Sequence, residues 1–426
     1  MIATAVENTK TAWLGEFPAH WEVLRIKNLF QEMDSRSETG SEELLSVSYH
    51  TGVYLKRESL ENEDDNLTNA SSLIGYKKVT KGDLIINIMG AWNGRLGISA
   101  YDGITSPAYC VYRLRGNNNP EYYGYLFRTS LYVTEFLKYS AGIGTGYLRL
   151  YSDKFFSIFT VVPPKDEQDE IVQYIKAQEE KINLFIQKKQ RFIELLKEQR
   201  QRIINIAITK GLNRNIEFKS TSIDWLGEVP KHWKVGKLKR FCQVKRGASP
   251  RPIDDPIYFD NDGEYGWVRI SDVTASNKFL EVTEQKLSSI GQELSVKIEP
   301  NDIFLSIAGS VGKPIISKIK CCIHDGFVWF QNLEINKEYL YYIFLSGSCF
   351  DGLGKMGTQL NLNTETVGSI FIAIPPEDEI KYILEHIKTE TATIDTAIAK
   401  AEREIELIRE YKEAMIAEAV MGKRKL

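Results

Sequence analysis

An α/β architecture is predicted for this 426-residue chain: two similar mixed-sheet domains, separated by two long antiparallel coiled-coil helices and related by a pseudo-twofold axis. Three observations carry that expectation. The segment Trp13-Leu14-Gly15-Glu16-Phe17-Pro18-Ala19-His20-Trp21 returns 212 residues later as Trp225-Leu226-Gly227-Glu228-Val229-Pro230-Lys231-His232-Trp233. Pro163-Pro164 returns at the same interval as Pro375-Pro376. Each double proline opens a stretch with a coiled-coil apolar period. A repeat this long is one domain plus its connector, not one turn of a solenoid.

The repeat is strongest at its edges, where residues 11–23 and 223–235 share eight identities in thirteen positions. The interiors, about 21–162 and 233–374, diverge, as expected of a shared scaffold carrying different surfaces. Short apolar runs such as Asp83-Leu84-Ile85-Ile86-Asn87-Ile88 and Trp267-Val268-Arg269-Ile270, set between glycine turns, predict strands, and 120–139 predicts helix. The acidic run 58–65 reads as a solvated loop.

After Pro163-Pro164, acids in the first turn suit unsatisfied backbone amides, and Pro375-Pro376-Glu377-Asp378-Glu379 repeats the signal. Steps of four and three from Ile171 give Ile175, Gln178, Ile182, Phe185, Lys189, Phe192, Leu196, Gln199, Ile203 and Ile206. The same steps 212 residues on run from Ile383 through Ile387, Glu390, Ile394, Ala397, Ala401, Glu404, Ile408, Tyr411 and Met415 to Glu418. That 3.5-residue period marks a left-handed coiled-coil seam. One helix over 165–210 would span about 70 Å. Domains are therefore expected at 1–164 and 212–376, with spacer helices at 165–211 and 377–426. Ile186, Ile193, Leu195, Ile398, Ile405 and Leu407 lie off the seam and widen the apolar face, leaving room for partner helices.

Composition is that of an ordinary soluble protein, and a net charge of −3 gives no global basic signal, so nucleic-acid binding must rest on local patches. Cys110, Cys242, Cys321, Cys322 and Cys349 form neither a CxxC pair nor a ligand cluster with histidine, which points away from zinc and disulfides and toward a reducing cytoplasm. No run approaches a bilayer span. The loop Gly309-Ser310-Val311-Gly312-Lys313-Pro314 is too short for a nucleotide-binding P-loop, and no GxGxxG, HExxH or GxSxG motif stands in a suitable context. The residues describe a binder rather than a catalyst.

Between His232 and Arg251, seven basic residues (Lys234, Lys237, Lys239, Arg240, Lys245, Arg246 and Arg251) occur without an acid, a candidate phosphate-tracking surface. Glycine loops recur in both halves: Gly90-Ala91-Trp92-Asn93-Gly94-Arg95 against Gly309-Ser310-Val311-Gly312-Lys313, and 140–149 against 352–361. Asn, Gln and Arg read base edges, and glycine lets a backbone approach a ligand. The candidate DNA contacts are Asn93, Arg95 and Arg149 in the first half, and Lys245, Arg246, Arg251, Arg269, Lys355, Gln359 and Asn361 in the second. No catalytic or metal-binding residue is assigned.

Two divergent halves, each opened by Trp-Leu-Gly-Glu-x-Pro-x-His-Trp and closed by a double proline entering a long helix, resemble the specificity subunit of type I restriction-modification systems. The resemblance covers nearly the whole chain; Ile380, standing where the first half has Gln168, departs from it. It implies that 22–164 and 234–376 are target recognition domains, each reading one half of a split double-stranded DNA target, with the helices as spacer. It also implies two adenine methyltransferase (modification) subunits and restriction/translocase subunits as partners, with S-adenosylmethionine, ATP and magnesium belonging to those partners and no cofactor in this chain. Half-sites about one helical turn apart, roughly 34–36 Å, would suit two heads on one face of a duplex. Two other readings stay open: a coiled-coil scaffold or assembly protein without direct DNA contact, and a nuclease built around Asp83 or Asp302.

Overall fold

The computed structural model describes residues 2–4, 10–49, 51–56, 72–142, 148–353 and 362–424. The acidic run 58–65 lies outside them. The chain divides into two compact units, and neither is a continuous stretch: one is Met1–Lys189 with Arg403–Leu426, the other Gln190–Glu402. Each unit therefore contains one globular domain, the start of the helix that follows it, and the end of the other long helix.

In the first unit, an antiparallel sheet runs in the order Phe30–Met33, Tyr109–Leu114, Leu84–Asn87, Leu96–Ile98. Leu84, Ile85 and Ile86 are buried, as the central position demands, and their neighbours across the sheet fill both faces. The predicted helix over 120–139 is two helices, Pro120–Phe127 and Ser130–Tyr139. The first is started by Asn119, whose side chain accepts the Glu121 amide at 3.0 Å. Tyr122, Tyr123, Phe127, Tyr132, Phe136 and Phe155 make an aromatic core, largely through edge and tilted contacts.

The second unit repeats that sheet despite the divergent sequence. Its order is Gln243–Arg246, Phe327–Gln331, Ile303–Ser306, Pro314–Ser317, with Phe279–Leu280 added in parallel at the edge. A second sheet places Tyr265–Val268 between Gln285–Leu287 and Cys321–Ile323, the latter pair parallel. The strand expected at 267–270 is thus Tyr265–Val268. The chain leaves it at Arg269, whose amide donates to Asp272 at 2.8 Å and opens the helix Ile270–Ala275.

The long helices are Lys165–Lys210 and Glu377–Val420. They run antiparallel within each unit. In the first, Lys412 meets Glu179 at 3.0 Å and Lys189 pairs with Glu404, while Arg424 lies over the Tyr174 ring. In the second, Arg200 meets Asp395 at 2.8 Å. The seam differs from the one predicted. Phe185 and Phe192 are 38% and 45% exposed, and Ile193, one residue on, is buried. Likewise Thr391 and Ile405 are buried where Glu390 and Glu404 were expected. An α-helix of 3.6 residues per turn drifts about 20° per heptad against a 3.5-residue count, so a contact stripe moves onto the next residue along a long helix.

Candidate nucleic-acid interface

The repeated sequence motifs build the frame on which any binding surface must sit. Glu167, in the first turn of the first long helix, accepts the Trp21 indole N–H at 2.8 Å and meets His20 Nε2 at 2.6 Å. Glu379 does the same in the second unit, with Trp233 at 3.1 Å and His232 at 2.8 Å. Helix ends complete the arrangement. Gly422, at φ +65°, closes the second long helix against Trp21, and Gly211, at φ +67°, closes the first against Trp233, each so near the ring that an added Cβ would crowd it. The buried Tyr122 hydroxyl donates to the Val420 carbonyl at 2.8 Å, and the Tyr339 hydroxyl donates to that of Ile208 at 2.9 Å. Gln168 is wholly buried, donating to the Pro163 carbonyl and accepting from the Asn119 amide at 2.8 Å; Ile380 takes its place in the second unit as an apolar core residue.

The aspartates considered for nuclease chemistry belong to this frame too. Asp83, buried, receives Arg113 through two 2.8 Å bonds and the Thr80 amide at 2.8 Å. Asp83 in turn holds the guanidinium pKa above its ordinary value. Asp302 is met by Lys337 at 2.6 Å. Among the described residues, no group of three His, Cys, Asp or Glu side chains is placed to hold a metal ion. Burial pushes the Cys321 and Cys322 thiols up to about 12, leaving them unreactive small apolar groups.

In the first unit, the turn after strand Leu84–Asn87 carries Met89, Asn93 and Arg95, and segment 148–151 docks beside it through Leu150 N–H to the Ile88 carbonyl at 2.9 Å. Arg149 pairs with Ala141 in an antiparallel bridge. The structure thus brings Arg95 and Arg149 to neighbouring loops. Both are exposed, Met89 and Tyr151 stand out beside them, and the Tyr49 ring packs on Gly94. Asn93 is largely covered, with its side-chain carbonyl unpartnered.

In the second unit the basic run is dispersed. Lys237 lies over the Phe371 ring on one strand pair, and Lys239 and Arg240 occupy a short 3-10 turn. Lys245 and Arg246 are adjacent on one strand and so point to opposite faces. Arg246 and Arg251 come together at Asp325, and beside it burial, with a smaller push from the Arg269 charge, depresses the His324 pKa. Arg269 also lines a groove of about 430 Å³ with Asp254, Phe259, Asp260, Asn261 and Gln285. Lys313, matched in sequence with Arg95, turns inward: it donates to the Thr274 and Ser276 carbonyls at 3.1 and 2.7 Å, and burial lowers its pKa. Lys355, Gln359 and Asn361 lie outside the described residues. Sequence reading missed His324 and Asp325. The only available signal was a His-Asp-Gly turn between two apolar runs.

Comparison with known proteins decides what this frame belongs to. The family model for the type I restriction modification DNA specificity domain matches twice, over residues 18–195 and 230–407. The chain belongs to that family. Its two globular domains are accordingly DNA specificity domains, each matched together with the start of the long helix that follows. Two curated relatives from Methanocaldococcus jannaschii align over nearly their whole length: a putative type I restriction enzyme specificity subunit at 23% identity and a type I restriction enzyme specificity subunit at 25%, each over 98% of this chain and 96% of the relative. A chain solved in work on assembly and conformational transition of a type I restriction-modification system has the same fold, with a TM-score of 0.70 at 14% identity over 96% of this chain and 99% of that one. The HsdS subunit of Thermoanaerobacter tengcongensis gives 0.51 at 16% identity over 96% and 98% of the two chains.

Proposed function

We propose that this chain is the non-catalytic recognition subunit of a type I restriction-modification complex, in which each specificity domain reads one half of a bipartite DNA target. The observation that carries this reading is the double family match on two domains that share a frame and differ in their loops. Partner subunits supply the chemistry: two modification subunits methylate adenine with S-adenosylmethionine, and restriction/translocase subunits use ATP and magnesium. The spacer segments 165–211 and 377–426, which carry the long helices Lys165–Lys210 and Glu377–Val420, hold the domains apart and dock those partners, and the complex works in the cytoplasm, where its DNA is. None of the described helices is long and apolar enough to cross a membrane. Asn93, Arg95 and Arg149 in the first domain, and Lys245, Arg246, Arg251, Arg269, Lys355, Gln359 and Asn361 in the second, are the candidate DNA contacts.

The test is domain exchange. Residues 22–162 are replaced by the same region of another specificity subunit, and methylated adenines are mapped in a host expressing the chain with its modification partners. One half of the methylated motif changes and the other is retained. Change in both halves, or in neither, refutes modular reading.

A further inference from the structure

One side-chain cluster in the second unit has no counterpart in the shared frame. His324, Asp325 and Gly326 form the turn between strands Cys321–Ile323 and Phe327–Gln331, and segment 246–251 runs beside it. The Gly247 amide donates to the Phe327 carbonyl at 2.9 Å, and a Cβ on Gly247 would lie 2.1 Å from the His324 carbonyl oxygen, so only glycine permits this approach. Asp325 then gathers three partners. Its backbone carbonyl accepts Arg246 Nε at 2.6 Å, and its carboxylate accepts Ser249 Oγ at 3.1 Å and Arg251 Nη2 at 3.2 Å. Among the described residues, Nη1 and Nη2 of Arg246 and Nη1 of Arg251 are left without a partner.

His324 is fixed in one tautomer. Its Nδ1 lies 2.9 Å from the Gly326 amide, which can only donate, so Nδ1 accepts and the ring proton sits on Nε2. The Asp325 carboxylate, 3.7 Å from Nδ1, is too far to compete. Ring contacts with Trp267 and Phe327, at 5.8 and 4.5 Å between centroids, hold the imidazole in place. Burial, aided by the Arg269 charge and opposed by that of Asp325, keeps its pKa below the ordinary value, so the neutral ring prevails at pH 7. Nε2 has no protein partner among the described residues. The unengaged nitrogens of this turn are therefore all donors, and its one carboxylate already accepts Ser249 and Arg251.

We propose that this turn is a base-reading edge of the second domain, with His324 Nε2–H and the Arg246 guanidinium donating to an acceptor edge, guanine N7 and O6 in the major groove, and Asp325 acting as the positioning residue, its main-chain carbonyl holding Arg246 and its carboxylate anchoring Ser249 and Arg251 on the same segment. Guanine alone offers two adjacent acceptors there, whereas adenine and cytosine present an amino group that would meet these donors head on. The inference rests on the DNA-recognition reading above and names the chemistry of one of its half-sites.

The test uses the full chain assembled with its modification subunits, with affinity measured for the methylated motif and for versions altered one base pair at a time. His324→Phe keeps a ring and removes the donor, and Arg246→Ala removes the second donor. Each lowers discrimination at a G·C position in one half-site roughly ten-fold or more and leaves the other half-site unchanged. His324→Gln retains a donor and part of the preference. Asp325→Ala keeps the carbonyl that holds Arg246 but frees Ser249 and Arg251 on the same segment, so it relaxes the same positions less than Arg246→Ala does, and Asp325→Asn, whose one amide oxygen still accepts Arg251 while its NH2 donates to Ser249 Oγ, restores discrimination in part. That rescue separates positioning from mere folding. Should His324→Phe fail to assemble, the exposed Arg246→Ala carries the same expectation. Unaltered discrimination in Arg246→Ala and His324→Gln, or relaxation only at positions without guanine, overturns the proposal. A wild-type complex with no sequence preference would instead overturn the recognition reading beneath it.

Discussion

Removing the Glu167 carboxylate tests whether the repeated His-Trp motif is a structural clamp. In Glu167→Ala, the Trp21 indole N–H, on a residue only 5% exposed, loses its acceptor. An unsatisfied buried donor costs about 1–3 kcal/mol. The His20 contact adds little, because His20 is more than half exposed and surface ion pairs are worth about 0–1 kcal/mol. Loss of an acid from the first turn of the helix adds about 0.3–1 kcal/mol. A total near 2 kcal/mol lowers the melting temperature of a unit of this size by about 4–8 °C. Glu167→Gln keeps an acceptor for Trp21 and loses less. Hydrogen exchange followed by mass spectrometry is the suitable assay, since the two compact units need not unfold together. Glu167→Ala accelerates exchange at 21–25 and at the start of the first long helix, and Glu379→Ala acts in the second unit only. Exchange within about 0.5 kcal/mol of wild type in both variants would refute the clamp.

Three further outcomes follow from the same packing. Tyr122→Phe strips the Val420 carbonyl of its buried donor and destabilises the first unit by about 1–2 kcal/mol, read as a lowered thermal midpoint, while the second unit is unaffected. Arg113→Ala leaves the buried Asp83 carboxylate facing only the Thr80 amide and costs about 3–5 kcal/mol, less whatever the exposed side of the guanidinium already loses to solvent; Asp83→Asn in the same background recovers part of it in urea unfolding. For His324 the folded pKa is depressed, so the unfolded chain takes up a proton first as pH falls below about 6.5, and stability declines until the folded ring also titrates. Urea midpoints for wild type and His324→Gln between pH 7.5 and 5 should show that decline only in wild type.

The edges of each half were legible because they obey local rules. Pro163-Pro164 and the acids after it start a helix wherever they occur, and Pro375-Pro376 with Glu377, Asp378 and Glu379 repeats the signal. The shared sheet was not legible as shared. Strands Leu84–Asn87 and Ile303–Ser306 occupy the same position with different residues, because a central strand asks only for apolar side chains on both faces. Candidate contacts fared unevenly for a related reason. Arg95 and Lys313 correspond by glycine spacing, yet one is exposed and the other ends on backbone carbonyls, since a loop of similar length can carry its cation outward or inward. The seam slipped at Phe185 and Phe192 because heptad counting ignores helical drift.

Length, period and motif order were enough to establish two homologous domains, two long helices and the absence of familiar catalytic signatures, all properties written in residue types at fixed intervals. Only folding decided that each domain is sealed by the far end of the other half's helix, with Gly422 on Trp21 and Gly211 on Trp233, and that Arg246, Ser249 and Arg251 converge on Asp325 some 75 residues away. Such contacts join positions distant along the chain. Their energies depend on distance, burial and direction in space, which residue spacing does not encode.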